Sequence, residues 1–117
     1  MPLLRVIVGP DTGATAEVDK SSVTIGRGGE CELKMTDERI SIIHALVEPY
    51  EQGYRVRDLE SSGGTAVNGQ RVLERHLLFG DIITLGGTLI LFGSGDATVD
   101  SETVGSAESP LPGDSEL

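Results

Sequence analysis

Apolar and β-branched residues fall in short runs along this chain, and Gly, Pro, Asn and Asp separate them. Leu3 to Val8 is the first such run, and Gly9-Pro10-Asp11-Thr12-Gly13 after it is turn chemistry. Ala14 to Asp19 and Ser22 to Gly26 follow, the second with Val23 and Ile25 on one face of an extended strand. His44 to Glu48 and Tyr54 to Asp58 flank Pro49-Tyr50-Glu51-Gln52-Gly53, a hairpin loop. Ala66-Val67 and Arg71-Val72-Leu73 flank Asn68-Gly69, whose residues tolerate the positive φ of a two-residue type I′ turn. Ile82 to Leu85 and Thr88 to Phe92 flank Gly86-Gly87, a third hairpin. No stretch of helix length carries an apolar stripe at helical spacing. The pattern predicts an all-β sandwich or barrel. With two Tyr, two Phe and no Trp, its core must be mostly Ile, Leu and Val.

Charge divides the chain. Of its 117 residues, 19 are Asp or Glu and 9 are Lys or Arg, a net charge of −10. That balance repels phosphate backbones and argues against general nucleic-acid binding. Residues 94–117 hold six acids (Asp96, Asp100, Glu102, Glu108, Asp114, Glu116), no base and no aromatic residue. Such a stretch cannot bury enough apolar area to offset chain entropy of about 1–2 kcal/mol per residue, so a disordered acidic tail or linker is expected there. Residues 1–93 keep 13 acids and 9 bases and are expected to form the one folded domain. No apolar run approaches the ~20 residues of a bilayer crossing, and no basic segment precedes the first apolar stretch. The single cysteine, Cys31, offers neither an internal disulfide nor a cysteine metal cluster, and the default expectation is a cytoplasmic setting without membrane contact.

Three loops combine Gly with hydroxyl or Arg side chains: Gly26-Arg27-Gly28-Gly29, Arg39-Ile40-Ser41-Ile42-Ile43-His44, and Ser61-Ser62-Gly63-Gly64-Thr65. Loops gather at the ends of a sandwich, where binding residues usually sit. Gly26-Arg27 is followed by the apolar pair Leu33 and Met35, and Ser41 stands three residues before His44. Asp58-Leu59-Glu60-Ser61-Ser62-Gly63-Gly64-Thr65-Ala66-Val67-Asn68-Gly69 comes next, then Leu77, Gly80-Asp81, Ile83 and Leu85-Gly86. In order and spacing these four blocks resemble the forkhead-associated (FHA) family over about residues 22 to 93. The resemblance implies an FHA-type β-sandwich of about eleven short, mostly antiparallel strands. It further implies a module that binds phosphothreonine peptides in kinase-linked signalling or regulation.

A phosphothreonine carries about −1.5 to −2 charge and three strong acceptor oxygens. Its receptor needs a cation and neutral donors on rigid loops. Arg27 supplies a planar fork for phosphate, and Ser41 and Ser62 supply hydroxyls that rotate to meet it. The resemblance assigns phosphopeptide contact to Arg27, Ser41, Ser62 and the position of Gly63, and loop support to Gly26, His44, Gly64, Thr65, Asn68 and Gly69. Two positions depart from the family pattern. Gly63 replaces an Asn that clamps the ligand backbone, weakening the clamp by about 1–3 kcal/mol. Ile42 replaces the Arg or Asn that usually helps at the phosphate rim.

Each of these residues also has a plainer reading. Arg27 can be a solvated charge, Ser41, Ser61 and Ser62 can simply close turns, and Asn68-Gly69 is hairpin chemistry first. His44 has no nucleophile partner in sequence, only His76 could join it as a metal ligand, and no nucleophile motif supports a Ser–His hydrolase. No enzymatic activity, catalytic residue, cofactor or metal is expected. A phosphate-independent protein–protein scaffold on the same fold stands beside phosphothreonine recognition as the alternative.

Overall fold

The computed structural model describes residues 2–18 and 21–95, so the tail or linker expected over 94–117 lies outside the described residues from 96 onward. Eleven strands run in order: β1 (Pro2–Val8), β2 (Thr15–Glu17), β3 (Val23–Gly26), β4 (Leu33–Lys34), β5 (Ala45–Tyr50), β6 (Gly53–Asp58), β7 (Thr65–Val67), β8 (Gln70–Val72), β9 (Glu74–Leu77), β10 (Ile82–Leu85) and β11 (Thr88–Ser94). They form a six-stranded sheet ordered β2-β1-β11-β10-β7-β8 and a five-stranded sheet ordered β4-β3-β5-β6-β9. All pairings are antiparallel except β3 with β4. The all-β sandwich expected from the sequence is the observed fold.

Alternation builds the core. Leu4 and Val6 of β1, Ile83 and Leu85 of β10, and Ile90 and Phe92 of β11 point inward from one sheet. Val23 and Ile25 of β3, Ala45 and Val47 of β5, and Val56 of β6 face them from the other. Each large side chain so buried contributes roughly 1.5–3 kcal/mol by leaving water. On the outer face of the second sheet, Arg55 and Arg57 share Glu48 and Glu74 in an ion-pair net, the shortest contact being Arg55 to Glu48 at 2.7 Å. The Arg55 guanidinium also lies over the Tyr50 ring at 3.9 Å.

Several boundaries shift. The hairpin expected over Pro49 to Gly53 is tighter, because Pro49 and Tyr50 extend β5 and Glu51, at φ 57°, turns the chain. Asn68 and Gly69 take φ of 51° and 85°, as a type I′ turn requires. Strand β9 has little apolar alternation and forms by pairing with β6. It is an element that pattern alone does not reveal.

Strand direction sorts the loops. β3, β6 and β10 run toward one pole and β5, β7 and β11 start from it. The β3–β4, β4–β5, β6–β7 and β10–β11 connections therefore gather there. Pro2 pairs with Ser94 at the opposite pole.

Candidate functional site

The loop-bearing pole is locked together by backbone and buried side chains. Gly26 ends β3 where a Cβ would stand 2.2 Å from the Ile42 carbonyl oxygen, so only glycine allows the β4–β5 loop to approach this closely. The Arg27 N–H then donates to Ser41 O at 3.1 Å and the Gly28 N–H to Ile42 O at 3.0 Å. Arg27 Nε donates to the Ile40 carbonyl. That bond fixes the base of the guanidinium and leaves the Nη groups of an exposed side chain turned to solvent. The Cys31 thiol reaches Ile42 O at 3.4 Å, and burial pushes it above the usual thiol range, so it stays protonated and unreactive.

His44 is fully buried at the start of β5 and joins two of the loops. Its Nδ1 accepts the Ser41 N–H at 3.0 Å, and its Nε2 lies 2.8 Å from the Gly64 carbonyl. A carbonyl only accepts, so these partners assign the neutral ring with its proton on Nε2. Both ring nitrogens are spent on backbone. Ser41 Oγ accepts the Ser62 N–H at 3.1 Å, which leaves the Ser41 hydroxyl proton free to donate outward.

The β6–β7 loop hangs from Asp58. Its carboxylate accepts the Ser61 hydroxyl at 2.5 Å, the Thr65 hydroxyl at 2.8 Å and the Ser61 N–H at 3.2 Å. Burial opposes ionisation of Asp58, but these hydrogen bonds outweigh it and hold the carboxyl below its ordinary value. Ser61 Oγ in turn accepts the Gly64 N–H at 2.9 Å. Gly64 sits at φ +83°, with the Arg71 guanidinium 2.5 Å from where a Cβ would be.

Arg27, Ser41, Ser62 and Gly63 all line one open cleft of about 450 Å³ at this pole. Gly26, His44, Gly64 and Thr65 stand behind it. Asn68 does not join them, and Gly69 lines a neighbouring groove with Gly63, Gly64 and Thr65. Asn68 bonds Asp81 and the Ile82 N–H, so this turn anchors the start of β10 rather than the three loops. Arg39 is a wall of the cleft to which sequence reasoning gave no role. Its backbone N–H, Nε and Nη2 all bond Asp37, at 2.9, 3.1 and 3.1 Å. Gly87 N–H reaches the same carboxylate at 3.0 Å. The Arg39 side chain and backbone, with Gly87, hold the Asp37 carboxyl down to about 2 and tie the β10–β11 turn to the site. The Asp-x-Arg spacing was the available signal, but nothing in it shows that the guanidinium folds back over its own loop.

Solved structures share this fold. The chain superposes with TM-score 0.73 and 31% identity on a structure described in a study of phosphothreonine-dependent FHA domain interactions, covering 80% of this chain and 95% of the other. The chain belongs to the forkhead-associated domain family. This FHA domain is 34% identical over 95 residues to an oxoglutarate dehydrogenase inhibitor of Corynebacterium efficiens, covering 81% of this chain and 67% of the relative. It is 35% identical over 81 residues to an ABC transporter ATP-binding/permease protein of Mycobacterium tuberculosis, but those residues are 69% of this chain and only 9% of the transporter. Residues 5–96 also match the family model for the cytoplasmic domain of the inner membrane component of the type III secretion system (Yop-YscD_cpl). Among the described residues, no helix is long and apolar enough to cross a membrane.

Proposed function

We propose that this FHA domain binds a phosphothreonine-bearing segment of a partner protein, with the phosphate held by Arg27, Ser41 and Ser62. One observation carries the assignment. The outward Nη groups of Arg27, the free hydroxyl proton of Ser41 and the exposed Ser62 converge on one cleft whose backing is rigid. Charge-assisted hydrogen bonds of this kind are worth about 1.5–3 kcal/mol each, and donors fixed in advance lose little entropy on binding. The phosphothreonine dependence stated for the 31%-identical FHA structure supports the same ligand class.

The role is binding and regulation, with no catalytic step. His44 gives both nitrogens to backbone groups and has none left to act as a base. The partner is the product of a Ser/Thr kinase, because only such an enzyme makes the ligand. A cytoplasmic setting draws support from the description of the matching family model. Residues 1–94 act as the binding unit, since β11 runs through Ser94, with the stretch beyond as its tail or linker.

A phosphate-independent scaffold is the second reading. It is favoured by Ile42, 59% exposed beside Ser41 where a polar residue would serve a phosphate better. Calorimetric titration with a degenerate phosphothreonine peptide library and its dephosphorylated twin separates the two. Phosphate-dependent binding that Arg27→Ala abolishes, with stability lowered by no more than about 1.5 kcal/mol for the lost bond to the Ile40 carbonyl, is the expected result. Equal binding of both libraries, or full binding by the variant, overturns the phosphate assignment.

A further inference from the structure

The phosphate cleft does not end at Gly63. A second groove of about 200 Å³ begins there, sharing Gly63 and Gly86 with the first as lining residues. Its floor is small: Gly64, Ala66 and Thr84 add little side-chain volume, so a peptide backbone can lie close to the sheet. Its wall is Arg71, exposed on β8, whose guanidinium rests against Gly64. The other arginines of β6 and β9 are engaged. Arg55 and Arg57 share two glutamates, and Arg75 bonds Gln70. Among the described residues Arg71 has no ion pair or side-chain hydrogen bond.

Building on the phosphothreonine reading above, we infer that Arg71 is a second anion-reading residue, recognising an acidic side chain two positions from the phosphothreonine. The spacing follows from the chain itself. Ser62 and Gly64 are two residues apart, at most about 7 Å between Cα atoms. An extended peptide advances about 6.6 Å over two residues and presents both side chains on the same face. A phosphothreonine at Ser62 therefore brings the side chain two positions away over Gly64, where the Arg71 guanidinium waits. The ligand class becomes a phosphothreonine segment with Asp or Glu at that spacing.

Three alanine-flanked phosphothreonine peptides test this by fluorescence polarisation: one with Asp two residues before the phosphothreonine, one with Asp two residues after it, and one with Ala at both. One Asp peptide is expected to bind about three- to tenfold tighter than the Ala peptide, the scale of a partly exposed charge pair. Arg71→Gln should erase that advantage while leaving the Ala peptide unchanged, and Arg71→Lys should keep most of it. Raising the salt should shrink the advantage, because the pair lies at the surface. Equal binding of all three peptides overturns the inference and leaves the phosphothreonine reading intact, as does an Arg71→Gln variant that weakens all three alike. Failure of every phosphopeptide to bind the parent domain sinks the phosphothreonine reading, and this inference with it.

Discussion

Replacing His44 with Ala should cost stability first and affinity as a consequence. The imidazole is fully buried, and its removal leaves the Ser41 N–H and the Gly64 carbonyl without their partners. An unpaired buried polar group costs about 1–3 kcal/mol. The vacated ring adds a cavity term of about 1–2 kcal/mol, less whatever the loops recover by closing in or admitting water. A loss of about 3–5 kcal/mol is expected, a large fraction of the roughly 5–15 kcal/mol that holds an ordinary domain together. In a domain of this size that corresponds to a melting point lower by about 12 °C or more. Urea denaturation of parent and variant measures the difference, and ring ¹⁵N shifts of the parent should show a proton on Nε2 and none on Nδ1. A loss below about 1 kcal/mol, or a ring protonated on Nδ1, would refute the claim that this histidine ties the Ser41 and Gly64 loops together.

Gly63→Asn should tighten phosphopeptide binding by about 1–3 kcal/mol, roughly five- to 150-fold, by restoring a ligand-clamping amide. The position has room, since a Cβ there meets only the Arg39 carbonyl at 3.6 Å and Gly63 is not among the positive-φ glycines. A well-folded variant with unchanged affinity in calorimetry would count against the clamp. Asp37 gives a pH signature. Its carboxyl is held at about 2 against an ordinary 3.8, so its contribution to stability is fully present above 3.8 and is lost as pH falls through 2. The melting-point deficit of Asp37→Asn relative to the parent should therefore be constant above about pH 4 and close toward about pH 2. A deficit independent of pH across that window contradicts the assignment.

Turn residues and alternation made most strands legible. Asn68-Gly69 and Gly86 mark their hairpins because only certain residues accept left-handed backbone, and Val23 with Ile25 marks a strand face because one side is buried. Strand β9 was not legible, since its stability comes from pairing with β6 and its outward residues are Glu74 and His76. At the site, the spacing of Arg27, Ser41 and His44 could be read, but direction could not. That Arg39 folds back on Asp37, or that Arg71 crosses from β8 to lie on Gly64, depends on which way each side chain packs, and residue spacing does not show that. The role of Asn68 shows the opposite limit. The family resemblance placed it in support of the binding loops, whereas its bonds run to Asp81 and the start of β10.

The pairing of Pro2 with Ser94 has an architectural consequence. Both strand ends leave the sandwich side by side, about 5 Å apart, at the pole away from the cleft. A host chain can therefore be interrupted by this unit with hardly any gap to bridge, in the manner of a plug set into a socket. Both exits open behind the sandwich, opposite the pole where the cleft loops gather. A fusion made at either exit starts from the rear of the unit and leaves the shape of its binding pole as it is.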